Sequence, residues 1–540
     1  MGPYPKAMKP STRMTVTTLL VAVIASTLTA LTVTEPATAL TSSRIFGEDR
    51  YATSAAASLA AYPSPGPVDT VFLASGENFP DALSAGPAAA QSSAALLLTS
   101  RDSIPTNIRT EIARLAPARI VIVGGASAVS AAVEESARSL VADVSRVGGS
   151  DRYVVSEGLV RDVWNEGSRH AYVATGTSYP DALAAGPAAA RVGAPVILVP
   201  GGSAALPDTT RKLLGDLGVT SVTIAGATGA VSAGIESQIR AVPGITSVTR
   251  QGGTDRYETA IVLNRHAFAG AAAGPSFLAT AWDFPDALSA VVPAAVANRP
   301  IFLAQPQCVP ATVLSTMTSL STAEARLVGG TRVLRGAVEK LQPCLSTESP
   351  SSIWVVVNKA RPVTPLNYAP TDLTYPNVTN VNWQPMRKEA SAALESMFAA
   401  ASQAGAGSMV LQSGYRSYAT QKTLYDGFVR TNGQAAADLR SAKPGYSEHQ
   451  TGFAADIAPR AAGCSASSCI ASTPQGAWLR AHAWEHGFIL RYAETTTPIT
   501  GYQYEPWHYR YVGTTLAADY HAGGFQTLEA FFGMPAAPRY

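Results

Sequence analysis

Two short motifs near the C-terminal end carry the residue types that a catalytic metal ion needs. His449 and Asp456 lie seven positions apart, and Glu505 and His508 flank a Pro-Trp pair further along the chain. Only seven histidines occur in 540 residues, and five of them lie beyond residue 440. A catalytic zinc site requires three protein ligands, an open position for water and a base that handles the proton of the water. The sequence therefore predicts zinc ligands at His449, Asp456 and His508, with Glu505 as the general base.

The elements around these residues must bring them together. Gly452, followed by an apolar run up to Asp456, predicts a turn that leads into a buried strand. Pro506 excludes an ordinary helix in the later motif, so the site is not the HExxH helix of common metalloproteases. Arg416 follows the predicted strand Val410–Ser413, and we expect its guanidinium to stabilise a developing oxyanion.

Each assignment has a structural alternative. The two candidate histidines could be buried, hydrogen-bonded residues without a metal. Glu505 could cap a helix or form a salt bridge, and Arg416 could pair with a structural carboxylate. His482 and His486 have the i, i+4 spacing of a metal-binding helix, but tryptophans in the same segment favour a packed helix surface.

The N-terminal segment predicts export. Three basic residues precede the apolar run Met14–Leu31, and Ala37-Thr38-Ala39 has the pattern of a cleavage site, which together indicate a signal peptide at residues 1–39. A single membrane anchor is the alternative, but the run is short and contains threonines. No later segment holds about 20 uninterrupted apolar residues, so we expect a secreted protein without a membrane span after cleavage.

The cysteine spacing predicts disulfides, and the net charge argues against one class of binding partner. The four cysteines form two neighbouring pairs, and their even number in an exported chain predicts disulfides Cys308–Cys344 and Cys464–Cys469. The second pair lacks CxxC spacing, which makes a metal site there the weaker interpretation. A net charge of +2 with 14% charged residues argues against nucleic acid as a partner.

Internal repetition organises the first two thirds of the chain. Asp-Arg-Tyr triplets begin at Asp49, Asp151 and Asp255. Pro-Asp-Ala-Leu motifs follow them at Pro80, Pro180 and Pro285. The period of roughly 100 residues is that of a domain. Each copy alternates short apolar runs with helical stretches, which predicts a small α/β module with a parallel sheet.

The repeated motifs suggest roles within each module. Gly124-Gly125, Gly226-Ala227 and Gly329-Gly330 follow predicted strands, but no GxGxxG or Walker lysine accompanies them, so nucleotide binding is not expected. We expect the aspartate of each Asp-Arg-Tyr triplet to cap a helix and the arginine to pair with a carboxylate. The Pro-Asp-Ala-Leu motifs lie at the carboxyl edge of a sheet, where ligands tend to bind, and are the better binding candidates.

With these two motifs, residues 44–345 resemble the cell-wall-binding repeat 2 of Gram-positive surface proteins. The resemblance implies repeats at 44–146, 147–249 and 250–345 that pack as a pseudo-threefold unit and bind an anionic secondary cell-wall polymer. The third copy departs, with Val291-Val292-Pro293 where the others have Ala-Gly-Pro, which calls equal binding by the three modules into question. A spacer or stalk is the alternative function.

A polar linker at 346–352 precedes a domain with a mixed order of strands and helices, typical of the α+β class. We expect Trp354–Val357 to be its first strand and Met386–Gln403 to be a helix. The motifs around Arg416, His449 and His508 make residues 353–533 resemble the VanY-type D-alanyl-D-alanine carboxypeptidases, which are M15-type zinc peptidases with a hedgehog/DD-peptidase-like fold.

This second resemblance implies functions for individual residues. It places Zn²⁺ on His449, Asp456 and His508, Glu505 as base and Arg416 at the transition state. It also implies that Gln421 and Ser447 bind the terminal carboxylate region of the peptide.

The expected fold class is therefore multidomain: three α/β parallel-sheet modules and one α+β zinc peptidase domain. The expected function is that of a secreted, wall-anchored enzyme that removes the terminal D-alanine from peptidoglycan stem peptides. L,D-carboxypeptidase or endopeptidase specificity with the same zinc site, and a non-catalytic wall-binding protein, remain alternatives.

Overall fold

The computed structural model describes residues 40–460, 464 and 468–540. The predicted signal peptide at 1–39 lies outside the described residues, and so does most of the loop that follows Arg460. Within the described part of the chain, no helix is both long and apolar enough to cross a membrane.

Strands and helices alternate through the three repeats, beginning with a strand in each. In the first repeat they are β1 Thr41–Ile45, α1 Arg50–Ala61, β2 Thr70–Ser75, α2 Pro80–Gln91, β3 Ala95–Thr99, α3 Thr106–Leu115, β4 Arg119–Val123 and α4 Ala131–Arg138. In the second they are β5 Asp143–Val147, α5 Arg152–Val163, β6 His170–Thr175, α6 Pro180–Arg191, β7 Val196–Val199, α7 Asp208–Asp216, β8 Ser221–Ala225 and α8 Ala233–Arg240. In the third they are β9 Ser247–Gln251, α9 Arg256–Phe268, β10 Gly274–Thr280, α10 Pro285–Ser289, α11 Val291–Val296, β11 Ile301–Ala304, α12 Ala311–Ser319, β12 Thr322–Val328 and α13 Gly336–Glu339.

The three parallel sheets exchange strands and close into a ring. Their strand orders are β3-β2-β4-β5, β7-β6-β8-β9 and β11-β10-β12-β1. The edge strands β5 and β9 span the predicted boundaries between repeats and complete the first and second sheets, and β1 at the start of the first repeat completes the third sheet. The prediction of three small α/β modules with parallel sheets is confirmed.

The helices that begin with Pro-Asp-Ala-Leu meet at the centre of this ring. The aromatic residues just before them contact one another, with ring centroids 5.7, 6.1 and 6.4 Å apart, and are Phe79, Tyr179 and Phe284. A Cβ atom added at Gly86 or at Gly186 would lie 2.8 Å from Cγ1 of Val291. Gly86 and Gly186 of the first two repeats thus leave room for Val291. This valine belongs to the stretch in which the third repeat differs in sequence from the other two, and its side chain fills the axis of the ring.

The Asp-Arg-Tyr triplets only partly behave as the sequence predicts. The aspartates cap α1, α5 and α9 by accepting hydrogen bonds from main-chain N–H groups, as expected. Among the described residues these arginines form no salt bridge with a carboxylate, so the predicted pairing is not formed. Arg50, Arg152 and Arg256 do act to lower the pKa of one buried aspartate each, namely Asp286, Asp81 and Asp181. The three arginines donate instead to the carbonyl oxygens just beyond the strand ends, at Gly76, Gly176 and Ala281. These carbonyls lie past the sheet ladder and need a partner of their own.

The C-terminal domain is built on an antiparallel sheet, which confirms the α+β prediction. Its elements are β13 Leu373–Thr374, β14 Met386–Arg387, α14 Lys388–Gln403, β15 Met409–Ser413, α15 Tyr418–Asn432, α16 Gln434–Arg440, β16 Ala454–Pro459, α17 Pro474–His482, β17 Phe488–Leu490, α18 Thr497–Thr500, β18 His508–Tyr511, α19 Thr514–Ala522 and α20 Leu528–Phe531. Three 3₁₀ helices complete them, at Glu448–Thr451, Ser468–Ser472 and Ala483–His486. The sheet has the order β15-β16-β18-β17.

One strand prediction fails in this domain. Residues 354–357 are buried but do not form a strand. Val355 N donates to Ser352 O within a turn, and Val356 N donates to Thr347 O. Their apolar side chains belong instead to the clusters beneath this segment. An apolar run of this length fits a strand or an irregular buried segment equally well, and packing decides between them.

The third repeat and the peptidase domain share a hydrophobic core. Both predicted disulfides are present, and Cys308 of the Cys308–Cys344 bridge packs in one cluster with Trp354. The Arg335 guanidinium lies 4.5 Å from the ring centroids of both Phe525 and Phe531. These contacts fix the peptidase domain against the third repeat in addition to the covalent linker.

Candidate active site

Antiparallel pairing of β16 with β18 assembles the predicted metal ligands. The pairing places Asp456 directly opposite His508. His449 lies in the 3₁₀ helix that precedes β16, and Gly452 ends that helix with φ +76°. Asp456 also pairs with Ser413 at the end of β15, which brings the following loop and Arg416 to the same edge.

The three ligand candidates converge on one point. His449 Nε2 and His508 Nδ1 each lie 3.3 Å from Asp456 Oδ1. The potential ligand atoms of the three residues are all within 4.8 Å of one another, and all three residues are buried. Asp456 Oδ1 is buried, and among the described residues its nearest polar neighbours are these two imidazole nitrogens. Two imidazole nitrogens and a buried carboxylate oxygen that converge on one point are a donor set that fits a zinc ion.

The other nitrogen of each imidazole is already engaged. His449 Nδ1 lies 2.7 Å from Gly414 O, which leaves Nε2 free to bind a metal. His508 Nε2 lies 3.2 Å from Glu448 Oε2, which leaves Nδ1 free. Partners of this kind orient metal-bound histidines in many proteins and set their tautomers.

Glu448 is the functional residue that sequence reasoning missed. Its side chain is fully buried and also binds two arginines, at 2.9 Å from Arg491 Nε and 3.1 Å from Arg510 Nη1. Burial opposes its ionisation, but Arg491 and Arg510 outweigh burial and hold the pKa of Glu448 below its usual range. A glutamate next to a candidate ligand was the available signal.

Glu505 lies beside the ligands on the wall of a cleft. Its Oε2 is 3.7 Å from His508 Nδ1. Burial raises the pKa of Glu505 to about 8, and the nearby Asp456 carboxylate acts in the same direction. Burial lowers the pKa of His449 to about 4. Burial acts in the same direction on His508, but its hydrogen bonds to Asp456 and Glu448 outweigh burial and raise its pKa to about 9. The cleft has a volume of about 590 Å³, and Glu505 and His449 both line it.

Arg416 lines the same cleft, and three side chains hold its guanidinium group in place. Its Nη1 lies 2.6 Å from Ser413 Oγ and 3.4 Å from Asp456 Oδ2, and its Nε donates to Gln421 Oε1 at 3.0 Å. The guanidinium is thus held between a ligand candidate and a buried amide.

The two expected substrate-binding residues are placed differently. Among the described residues that line the cleft, Ser447 is present and Gln421 is not. Gln421 is fully buried, and its Nε2 donates to Ser441 Oγ and Ala442 O. Its contact with Arg416 therefore positions the arginine, because no part of the amide is free for a ligand.

The alternative metal pair on the later helix is not part of this site. The rings of His482 and His486 lie 5.1 and 6.0 Å from that of Trp478. This is the packed helix surface that the tryptophans predicted. In the described residues, the only group of three or more potential ligands is that of His449, Asp456 and His508.

Comparison with known proteins supports the resemblances found for the repeats and for the C-terminal domain. Residues 384–514 match the VanY family, described as D-alanyl-D-alanine carboxypeptidase. Residues 44–134, 146–236 and 250–339 match cell wall binding domain 2. The putative carboxypeptidase YodJ of Bacillus subtilis is 40% identical over 200 residues, which are 36% of this chain and 72% of YodJ.

The chain belongs to the VanY D-alanyl-D-alanine carboxypeptidase family. Three cell wall binding domains precede its VanY domain. A D-alanyl-D-alanine carboxypeptidase of Enterococcus faecium is 37% identical over 133 residues, 25% of this chain and 39% of that protein. The structure of Cwp6 from Clostridium difficile superposes with a TM-score of 0.52 at 20% identity, over 72% of this chain and 61% of Cwp6, and shows a shared fold.

Proposed function

We propose that this VanY-family protein is a secreted, wall-associated zinc carboxypeptidase that removes the C-terminal D-alanine from peptidoglycan stem peptides. The observation that carries the proposal is the convergence of His449 Nε2 and His508 Nδ1 on the buried Asp456 Oδ1, with Glu505 beside them in an open cleft. Two imidazoles and one carboxylate are a ligand set of the catalytic zinc type.

Each residue of the cleft has one task in the proposed reaction. Zn²⁺, when bound by His449, Asp456 and His508, supplies a Lewis acid that polarises the scissile carbonyl group and acidifies water. Glu505 takes the proton from the attacking water and passes it to the leaving amine. Arg416, held by Gln421 and Ser413, donates to the oxygen of the tetrahedral intermediate. Ser447 lines the cleft and contacts the terminal carboxylate region of the peptide.

The three repeats are proposed to hold the enzyme on an anionic secondary cell-wall polymer. Attachment to the wall raises the effective concentration of the enzyme at an insoluble substrate. Sedimentation with purified cell walls, before and after acid extraction of secondary polymers, tests this half. Equal sedimentation with extracted walls contradicts polymer binding, and no sedimentation with either supports a spacer function.

Mass spectrometry of stem peptides tests the catalytic half. The purified protein should remove one alanine from a pentapeptide with zinc present and stop when a chelator is added. Removal of the last residue of a tetrapeptide instead would assign L,D specificity to the same site. Cleavage of neither peptide, with zinc bound, would refute the enzymatic proposal and favour a wall-binding surface protein.

A further inference from the structure

The loop that follows β13 exposes two aromatic side chains to solvent. Trp383 is 74% exposed and Tyr375 is 56% exposed. Their rings contact each other edge to face, with centroids 5.9 Å apart and planes at 63°. Val381, 50% exposed, lies on the same loop. Clustered apolar surface of this kind commonly marks a binding site.

The backbone holds these rings in fixed positions. Asn382 Nδ2 donates to Gln412 O at 2.6 Å, and Val381 N donates to Leu411 O at 2.9 Å, so that the loop is tied to β15. Trp383 has φ +47°, a left-handed conformation that is strained for a bulky residue. A strained tryptophan that is held outward on a tied loop indicates a surface arranged for a ligand.

The chemistry of the loop selects the class of ligand. No aspartate, glutamate, lysine or arginine occurs between residues 373 and 386. The amides of Asn380, Asn382 and Gln384 hydrogen-bond within the loop and to the chain around β15, so the aromatic faces are the surface that the loop offers to a ligand. Polyanions such as nucleic acids require basic side chains, which are absent from this segment of the sequence. A neutral pyranose ring matches aromatic faces, because its C–H face stacks on a ring.

The position of the loop fits the length of the proposed substrate. Gln384 Oε1 accepts a hydrogen bond from Gly414 N at 2.8 Å, and Gly414 O lies 2.7 Å from His449 Nδ1. This path puts the Cα atom of Trp383 at most roughly 20 Å from His449 Nε2. The scissile bond precedes the last residue, so four residues, about 14 Å when extended, separate it from the sugar of a glycan-linked pentapeptide. Since roughly 20 Å is the upper limit for the loop, the loop and the sugar end lie at comparable distances from the ligand residues.

We propose that Tyr375 and Trp383 form a glycan platform that binds an N-acetylhexosamine ring of the strand to which the stem peptide is attached. The inference rests on the proposed function, since it takes the substrate to be a peptide joined to a sugar. Its consequence is a preference for glycan-linked peptide over free peptide.

Two substrates with the same peptide test this proposal, namely a free pentapeptide and a disaccharide-pentapeptide. The wild-type protein should cleave the disaccharide-linked form with the higher kcat/KM. Trp383→Ala and Tyr375→Ala should each lower kcat/KM for that form by about tenfold and leave the free pentapeptide unaffected. Trp383→Phe, which keeps an aromatic face, should retain most of the preference.

Trp282→Ala is the matched control, because Trp282 is a 61% exposed tryptophan of the third repeat. It should leave both substrates unaffected. Equal losses on the two substrates, or no loss, in both platform variants would overturn the glycan platform. If the wild-type protein cleaves neither substrate, the proposed function fails, and titration of the disaccharide alone then decides: quenched tryptophan fluorescence that is lost in Trp383→Ala supports the platform, and no quenching refutes it.

Discussion

Replacing Glu448 with glutamine separates metal positioning from general stability. The substitution keeps the shape of the side chain and removes its negative charge. Glu448 is fully buried between His508 Nε2, at 3.2 Å, and the guanidinium groups of Arg491 and Arg510. Glu448→Gln therefore weakens the group that orients a zinc ligand and leaves two buried cations with less compensation.

The expected losses follow from these contacts. Removing one member of a buried ion pair typically costs 3–5 kcal/mol of stability. Here Arg491 keeps Glu529, which binds it at 2.8 and 3.0 Å, so we expect a loss of about 3 kcal/mol. Loss of a carboxylate behind a metal-bound histidine lowers metal affinity by roughly 10–100-fold. We expect zinc affinity to fall within that range.

Glu529→Gln is the matched control. Glu529 is equally buried and binds Arg491, but it contacts neither His449 nor His508. Both variants should unfold at lower denaturant concentration, and only Glu448→Gln should lose zinc affinity in a competition titration with a chelating indicator. If the two variants lose zinc affinity equally, Glu448 acts through the stability of the domain, and our account of His508 is refuted.

Three further predictions concern the base, the ring axis and the buried aspartates of the repeats. Glu505→Ala should retain bound zinc while turnover falls at least about 100-fold, and normal turnover would exclude Glu505 as the base. Gly86→Ala should cost about 1–3 kcal/mol in unfolding experiments because its Cβ meets the axial valine, whereas Gly202→Ala, which meets nothing within 4 Å, should cost less. Burial raises the pKa of Asp181 and of Asp286 to about 6 from 3.8, so protonation favours the folded state. Stability should therefore fall by about 1 kcal/mol per aspartate as pH rises from 5 to 7.5, and this pH dependence should be lost in the asparagine variants.

The residues of the candidate site were predictable because their types are rare. Histidines flanked by glycine, proline and tryptophan signals identify the ligand set without knowledge of the fold. The supporting residues were not predictable in the same way. Glu448, Arg491 and Glu529 are charged residues whose pairing depends on burial, and a single sequence does not reveal which charges are buried together. Gln421 shows the same limit, since its contact with Arg416 depends on the packing of α15.

The prediction for the arginines of the Asp-Arg-Tyr triplets was wrong for a related reason. The aspartate cap is local, because it acts on N–H groups two or three residues further on, and sequence captures it. The arginine reaches a carbonyl oxygen about 25 residues away, as Arg50 does at Gly76. The identity of that acceptor depends on where the helix lies against the sheet. A carbonyl oxygen also leaves no side-chain signature in the sequence.

Strand exchange explains why the three repeats form one structural unit rather than three independent domains. β1 completes the third sheet, and Thr41 Oγ1 donates to Ala323 O across 282 positions of the chain. The ring therefore closes only when all three repeats are folded, and loss of one repeat would leave unpaired strand edges, which proteins avoid. The sequence period alone predicts separable domains of about 100 residues. The valine at the axis, the exchanged strands and the cluster around Cys308 and Trp354 instead connect the repeats to one another and to the peptidase domain.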